Sequence, residues 1–352
     1  MKILFALDQH TNAGSIQAVA NYVRTGDELG HEIAVYGQPD THFPHLRFSS
    51  DVSRFDYVVF IIESRLGWIS GLRLTKILNA IPRKRRAILD ADGMYNRSVS
   101  VNGYDRNHPS DNDAVYWRAF YGELADKILQ PSFQPRERGV VPLLFYGYDS
   151  NAVRNGNGGA GKCFDIVHIG HNWWRWHQVS AHLLPAIERI RSRVGKICFL
   201  GLWWDGTPSW ASAIGLKDAF QVDPERFRLL NIDVRPPIPY TDVISTMSTA
   251  RVNIMTQRPL FRELKIVTSK YFEILSAETI PLVMLDPHQA ELVYGAAGRE
   301  LALDGNLEYK LLDALHEPAK YKAVVAEVRR HLAEHHSYRK RVQEIVAALA
   351  DA

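Results

Sequence analysis

The chain has 352 residues, 46% hydrophobic and 23% charged, the balance of an ordinary globular protein, which excludes disordered and fibrous classes. That length suffices for two domains, each able to bury its own core. The formal net charge of +3 is small and dispersed, so it gives no ground for a nucleic-acid partner.

Lys2 to Leu7 reads as a buried strand, too short an apolar run for a signal peptide and followed at once by Asp8. Residues 11–15, T-N-A-G-S, form a loop before an amphipathic helix carrying Ile16, Val19, Ala20 and Val23. The loop sets Asn12, Gly14 and Ser15 at a helix N-terminus, where a plain N-cap explains Asn12 and Ser15 equally well. Strands Glu32 to Tyr36, Asp56 to Ile62 and Arg86 to Leu89 follow, with a helix from Ser70 to Leu78. The basic run Arg83 to Arg86 fits either peripheral contact with an anionic membrane face or a solvated loop.

The strand at Arg86 to Leu89 runs into D-A-D-G-M-Y-N, residues 90–96. In a doubly wound sheet, ligands gather at the carboxyl ends of strands, so Asp90 and Asp92 are candidate catalytic carboxylates. His10, in the first loop, is the third catalytic candidate, and the alternative for the two aspartates is a turn rich in Asp and Gly. A long polar loop, Ser100 to Asp113, precedes a helix over Ala114 to Leu124 and a strand over Lys127 to Leu129.

Residues 155–162, N-G-N-G-G-A-G-K, are the clearest linker. Gly156 to Lys162 satisfies G-x-x-x-x-G-K, but Cys163 stands where magnesium needs Ser or Thr, and the segment precedes a strand rather than opening a helix. A strand from Phe164 to Ile169 ends in G-H-N-W-W-R-W-H; Trp173, Trp174 and Trp176 form either an acceptor-stacking wall or packing. A helix over Val179 to Ile190 and a strand over Lys196 to Leu200 follow, then a helix over Tyr240 to Ala250 and a strand over Val252 to Met255. The last part is helical, one helix opening at Pro318 and another near Ser337. His331, His335 and His336 are assigned to a solvated face rather than a metal site. Cys163 and Cys198, both beside expected strands, read as buried thiols of a reducing compartment. No segment approaches the roughly 18 apolar residues of a membrane span, and the expected location is the cytoplasm.

The stretch from Val267 to Asp286 has the most chemical content. Thr268 and Ser269 suit a helix start, and Tyr271, Phe272, Leu275 and Ile280 are spaced for burial before a strand at Pro281 to Leu285. Two hydroxyls, the ammonium of Lys270 and, one turn later, the carboxylate of Glu273 suit a nucleoside diphosphate. The cation and helix amides offset phosphate charge, and the carboxylate accepts from ribose hydroxyls.

This segment resembles the donor-site motif of GT-B glycosyltransferases, closest to the retaining family-4 type and the spore-maturation-protein group. The resemblance implies two Rossmann-like domains facing a cleft: 1–154 for the acceptor, a linker 155–162, 163–336 for the nucleotide-sugar donor, and a terminal helix, 337–352, returning to the first domain. It implies that Glu273 meets the donor ribose, that Lys270, Gly170 and Arg175 meet the diphosphate, and that Pro239 and Tyr240 line the nucleobase, with Gly14, Thr268 and Ser269 beside them. The family's first motif Glu is replaced by Lys265. The implied reaction is metal-independent, retaining transfer without a cofactor from a nucleoside-diphosphate sugar to a glycan, lipid-linked or small-molecule acceptor. The alternatives are a GT-B nucleotide-sugar epimerase or hydrolase, and a non-catalytic nucleotide-sugar binding subunit.

Overall fold

Runs such as Ile3 to Ala6 and Val58 to Ile61 are apolar on both faces and fully buried, which suits parallel strands covered by helices on either side. The computed structural model describes residues 1–7, 14–62, 74–96, 113–153, 161–213 and 216–351. Its first sheet comprises β1 (Lys2–Ala6), β2 (Glu32–Tyr36), β3 (Phe48–Ser49), β4 (Tyr57–Ile61), β5 (Arg86–Leu89), β6 (Lys127–Gln130) and β7 (Val140–Pro142), in the order β3-β2-β1-β4-β5-β6-β7. Its second comprises β8 (Phe164–Ile169), β9 (Ile197–Leu200), β10 (Ile232–Arg235), β11 (Ala250–Met255) and β12 (Ile280–Val283), in the order β10-β9-β8-β11-β12. All pairings are parallel. Each sheet reverses its winding beside its first strand, between β1 and β4 and between β8 and β11, and such a reversal opens a crevice at the carboxyl ends.

The helices that bear on the site are α1 (Gly14–Glu28), α2 (Asp113–Leu124), α3 (Val243–Ser248), α4 (Lys270–Ser276), α5 (Pro318–His335) and α6 (Tyr338–Ala350). The helix expected over 240–250 is shorter, because Ala250 already pairs with Phe164 in the sheet. The helix expected from Val179 begins at Trp176 and passes through a wider turn at Val179–Leu183. β3, β7 and β10 carried no sequence signal. β3 and β7 are short, and β10 alternates exposure at an edge, so none shows a continuous apolar run.

Among the described residues, backbone bridges join the halves built on the two sheets at two places. Ser132 forms an antiparallel bridge with Ile266, Val267 N donates to Pro131 O at 2.7 Å, and Ser132 Oγ donates to Leu264 O at 2.9 Å. Near the end of the chain, Tyr148 bridges Ser337, and α6 lies on α1 with the Tyr338 and Tyr22 rings 5.9 Å apart. The buried Arg341 guanidinium donates to Leu144 O at 3.3 Å and His335 O at 3.1 Å.

Three expectations change here. Cys163 is exposed, because it precedes the strand rather than sitting within it; Cys198 is buried. His336 is not on a solvated face: it is buried, with Arg341 Nη2 2.7 Å from its Nδ1. Burial and that guanidinium push its pKa down to about 3. Of the basic run, Arg83 pairs with Asp126 at 2.6 Å, Arg85 donates to Phe55 O at 2.9 Å, and Arg86 is buried, which leaves Arg83 and Lys84 exposed, the first of them in an ion pair. No helix among the described residues is long and apolar enough to cross a membrane. Most of the expected linker (155–160) and polar loop (100–112), and the start of the Ser70 helix, lie outside the described residues.

Candidate active site

The crevice of the second sheet is where β8 and β11 end side by side. His168, Ile169 and Arg175 from one side and Ile254, Met255 and Thr256 from the other line a small cleft closed by Lys270 and Ile274 of α4. Gly170 follows β8, and a Cβ placed there would lie 3.6 Å from both the Arg175 guanidinium and His168 Nε2. Only a glycine keeps that space open to a ligand. Arg175 Nη1 donates to His171 O at 2.8 Å, which folds the guanidinium back over the loop it follows.

His168 in β8 and His171 in the loop after it are held in opposite tautomers. His168 Nδ1 lies 2.9 Å from Ile254 O, a carbonyl that only accepts, so Nδ1 carries the proton and Nε2 is bare. That Nε2 and Thr256 Oγ1 are buried with no hydrogen-bond partner among the described residues. His171 Nδ1 accepts from Leu202 N at 3.0 Å, so its Nε2 is the donor. Burial first, then Arg175 and Lys270, push their pKa values down to about 3 and about 4. Both rings are therefore neutral near pH 7.

Glu273 is 7% exposed: Oε1 accepts from Tyr240 Oη at 2.9 Å, and Oε2 lies 2.8 Å from Lys270 Nζ, an ion pair without hydrogen-bond geometry. Burial pushes its carboxyl up, but Lys270, Ser269 and Tyr240 outweigh this and hold it below the usual range. The helix amides expected to be free are partly used, since Tyr271 N bonds to Thr268 O and the amides of Phe272 and Glu273 both bond to Ser269 O. Ser269 occupies the N-cap position without a capping bond to the helix amides. Pro239 precedes the single turn Tyr240–Asp242 and accepts from Asp242 N at 3.0 Å.

From the first sheet, Gly14 at the start of α1 meets α4: a Cβ there would sit 2.6 Å from Ser269 Oγ. His10 and Asn12 lie outside the described residues. The turn after β5 separates the two aspartates by role. Asp90 is buried and accepts from Met94 N, Tyr95 N, Tyr121 Oη and Gln130 Nε2 at 2.8–3.1 Å, and burial raises its pKa to about 6 against these donors. With its oxygens filled by the turn and the core, it caps the turn and does not face the crevice. Asp92 faces the other sheet, its Oδ1 3.4 Å from Arg258 Nη1. Burial raises its pKa against the opposing pull of Arg258 and Arg175.

The tryptophans pack. Trp174 is buried, Trp173 lies edge-on to Phe220 at 5.0 Å, and Trp176 Nε1 donates to Asp218 O at 2.8 Å. From the sequence Arg258 is either free to meet phosphate or sugar or a plain surface arginine; it is half-buried against Phe261, with a Cζ-to-centroid distance of 4.5 Å, and pairs across the two sheets. Gly201, at φ 150°, lies directly under the Gly170 peptide. Its place after a strand, in G-L-W-W-D-G, was the available signal.

Three cations (Arg175, Arg258 and Lys270) thus meet two carboxylates (Asp92 and Glu273), leaving one positive charge with the imidazoles neutral. This arrangement suits an anionic ligand with a hydroxylated end. No group of His, Cys, Asp and Glu among the described residues is arranged to hold a metal ion.

The profile of a family described as "Glycosyl transferase-like" matches residues 181–347, a little under half of the chain. No curated protein matches the chain in sequence. Among solved structures, the chain is similar to an alpha-glucosyltransferase in complex with UDP and a 13-mer DNA containing a central A:G mismatch, at 12% identity and TM-score 0.62 over 99% of this chain and 100% of that one. It is similar to an alpha-glucosyltransferase with UDP and a 13-mer DNA containing a HMU base, at 12% identity and TM-score 0.60 over 99% of each chain. It also resembles T4 phage BGT in complex with its UDP-glucose substrate, at 12% identity and TM-score 0.56 over 100% of each chain. These likenesses show the fold, which is GT-B. They overturn the expectation that nucleic acid is excluded, since proteins of this fold are found with DNA. A net charge of +3 averages over the whole surface and does not describe the field of a cleft that gathers three cations.

Proposed function

We propose that the protein transfers a sugar from a nucleoside-diphosphate sugar, with UDP-glucose as the first donor to test, to an acceptor hydroxyl. The observation that carries this is the convergence of Arg175, Lys270, Arg258 and Glu273 at the crevice of the second sheet, opposite Asp92 of the first. Arg175 and Lys270 neutralise the leaving diphosphate, a role that needs no metal. Glu273 accepts from the ribose hydroxyls once they displace the Tyr240 hydroxyl. Asp92, ionised, offsets positive charge at the anomeric carbon or takes the acceptor proton. The likeness around Glu273 to family-4 and spore-maturation enzymes supports retention of configuration, which the anomeric proton signal of the product tests.

The deciding experiment follows UDP release and sugar transfer with and without a chelator. The acceptors offered are glycans, lipid-linked hydroxyls and DNA containing a HMU base, the last because structures of the same fold hold such DNA. Acceptor-dependent UDP release that survives the chelator supports the reading. Epimerised or hydrolysed donor without an acceptor indicates the epimerase or hydrolase, and binding without turnover indicates the binding subunit.

Two binding predictions arise from the donor side. Glu273→Gln removes a charge-assisted acceptor worth roughly 1.5–3 kcal/mol, so UDP affinity falls by about ten- to a hundredfold in calorimetry while the fold persists. Unchanged affinity in the folded variant removes Glu273 from the site. Arg175→Ala and Lys270→Ala each lower affinity for UDP more than for uridine, because only UDP carries the charge they meet. Equal losses for the two ligands would place the diphosphate elsewhere.

A further inference from the structure

We propose that Arg258 is a positioning residue shared between Asp92 and the donor diphosphate: it holds the Asp92 carboxylate in the ligand-free protein and releases it to the active site when the diphosphate arrives. The proposal rests on the reading of the cleft as a sugar-transfer site, and extends it to an order of events, donor before acceptor.

The geometry gives Arg258 unspent capacity. It follows β11, the strand that borders the crevice, and its side chain reaches across to the first sheet. A guanidinium carries five N–H donors. Here one nitrogen, Nη1, lies 3.4 Å from Asp92 Oδ1, a long contact, while Nε is buried with no hydrogen-bond partner among the described residues. The ring of Phe261 beneath the guanidinium, with Cζ 4.5 Å from its centroid, limits how far the group can swing. Both side chains of the pair are 20% exposed, so solvent screens the pair only in part. Arg258 is also close enough to depress the His171 imidazole, placing its charge at the loop that carries Arg175. A diphosphate brought to Arg175 and Lys270 therefore arrives beside Arg258 with more negative charge than one carboxylate. Arg–phosphate contacts are short and bidentate, so the phosphate wins the guanidinium from a partner held at 3.4 Å. Asp92 then loses its cation as the anionic leaving group comes near, and its carboxylate becomes a stronger acceptor for the acceptor hydroxyl.

The groups facing Asp92 are Arg258 and Arg175 from the second sheet, Tyr121 from α2, and Asp90 in its own turn. Only the first two are cations, and only Arg258 is within ion-pair distance among the described residues.

The test is a double-mutant cycle on UDP affinity by calorimetry. Asp92→Asn removes the competitor for Arg258, so UDP binds about three- to tenfold more tightly. Arg258→Gln weakens UDP by about tenfold. In the Arg258→Gln background the Asp92→Asn gain disappears, and Arg258→Lys, which keeps the charge, restores part of it. An equal gain in both backgrounds, or no gain in the wild-type background, overturns the proposal. A second readout is the acid limb of kcat/KM. Without Arg258 the Asp92 pKa rises further, so the limb moves to higher pH, whereas a merely structural role lowers the whole profile without moving it. Asp92→Asn with undiminished transfer overturns the catalytic reading and the proposal together. Lost transfer in Asp92→Asn with no coupling in the cycle overturns the proposal alone.

Discussion

Asp92→Asn lowers sugar transfer by about a hundredfold or more, the usual scale for a lost acid or base, while circular dichroism and thermal midpoint stay close to wild type. Among the described residues the side chain makes no turn-capping bonds, which belong to Asp90, and its ion-pair partner follows β11 of the second sheet. Loss of the carboxylate therefore removes the proposed acid or base and one contact between the halves built on the two sheets, but no element of the first sheet. Its pH dependence has a definite sign. In the proposed role Asp92 acts ionised, and burial raises its pKa against Arg258 and Arg175, so wild-type activity is expected to fall as pH drops through that raised value. The asparagine variant lacks this limb. Single-turnover rates with saturating UDP-glucose separate the effect from the tightened UDP binding expected of the same variant. Near-normal turnover would take Asp92 out of the mechanism. Asp90→Asn is the contrasting variant: it replaces an acceptor of four hydrogen bonds in the core, and its cost appears as lost stability.

The second large effect is at a glycine. Gly201→Ala places a methyl group 2.3 Å from Gly170 O and 2.6 Å from Gly170 C, at a φ of 150° that side chains rarely adopt. The obstructing atoms are backbone, and Gly170 is fixed by its own N–H to Leu200 O at 2.9 Å and by Trp204 Nε1 on its carbonyl at 2.7 Å. Strain and clash together cost about 3–5 kcal/mol, which lowers the thermal midpoint by about 5–10 °C. Because the displaced peptide leads directly to His171 and Arg175, UDP affinity falls as well. Gly206→Ala, where an added Cβ meets nothing within 4 Å, is the control in the same loop. A Gly201→Ala protein with unaltered midpoint and unaltered UDP affinity would show that the loop tolerates the shift, and that its geometry does not set the phosphate site.

Most of the strands were legible because parallel, doubly covered strands are written as unbroken apolar runs. Arg86–Leu89 and Phe164–Ile169 were placed residue for residue. Edge strands such as β10, exposed at every other position, carry half that signal. Lys270 and Glu273 are three apart, one turn of helix, so their pairing at 2.8 Å is a local fact and their proximity was visible in one line of sequence.

By itself, then, the sequence determined the two parallel sheets, the helix–strand unit around Lys270 and Glu273, and the clustering of polar residues at strand ends, since each depends on residues within about a turn or a strand of one another. Only the tertiary structure decided which of those polar residues meet. Asp92 and Arg258 are 166 positions apart, and nothing in local periodicity pairs an aspartate after β5 with an arginine after β11. Which of Asp90 and Asp92 is spent on the turn, which tautomer each histidine holds and why Gly201 is glycine were decided the same way. Each depends on a partner brought close by packing across sheets or between loops, and packing contacts of that range leave no spacing in the chain to read.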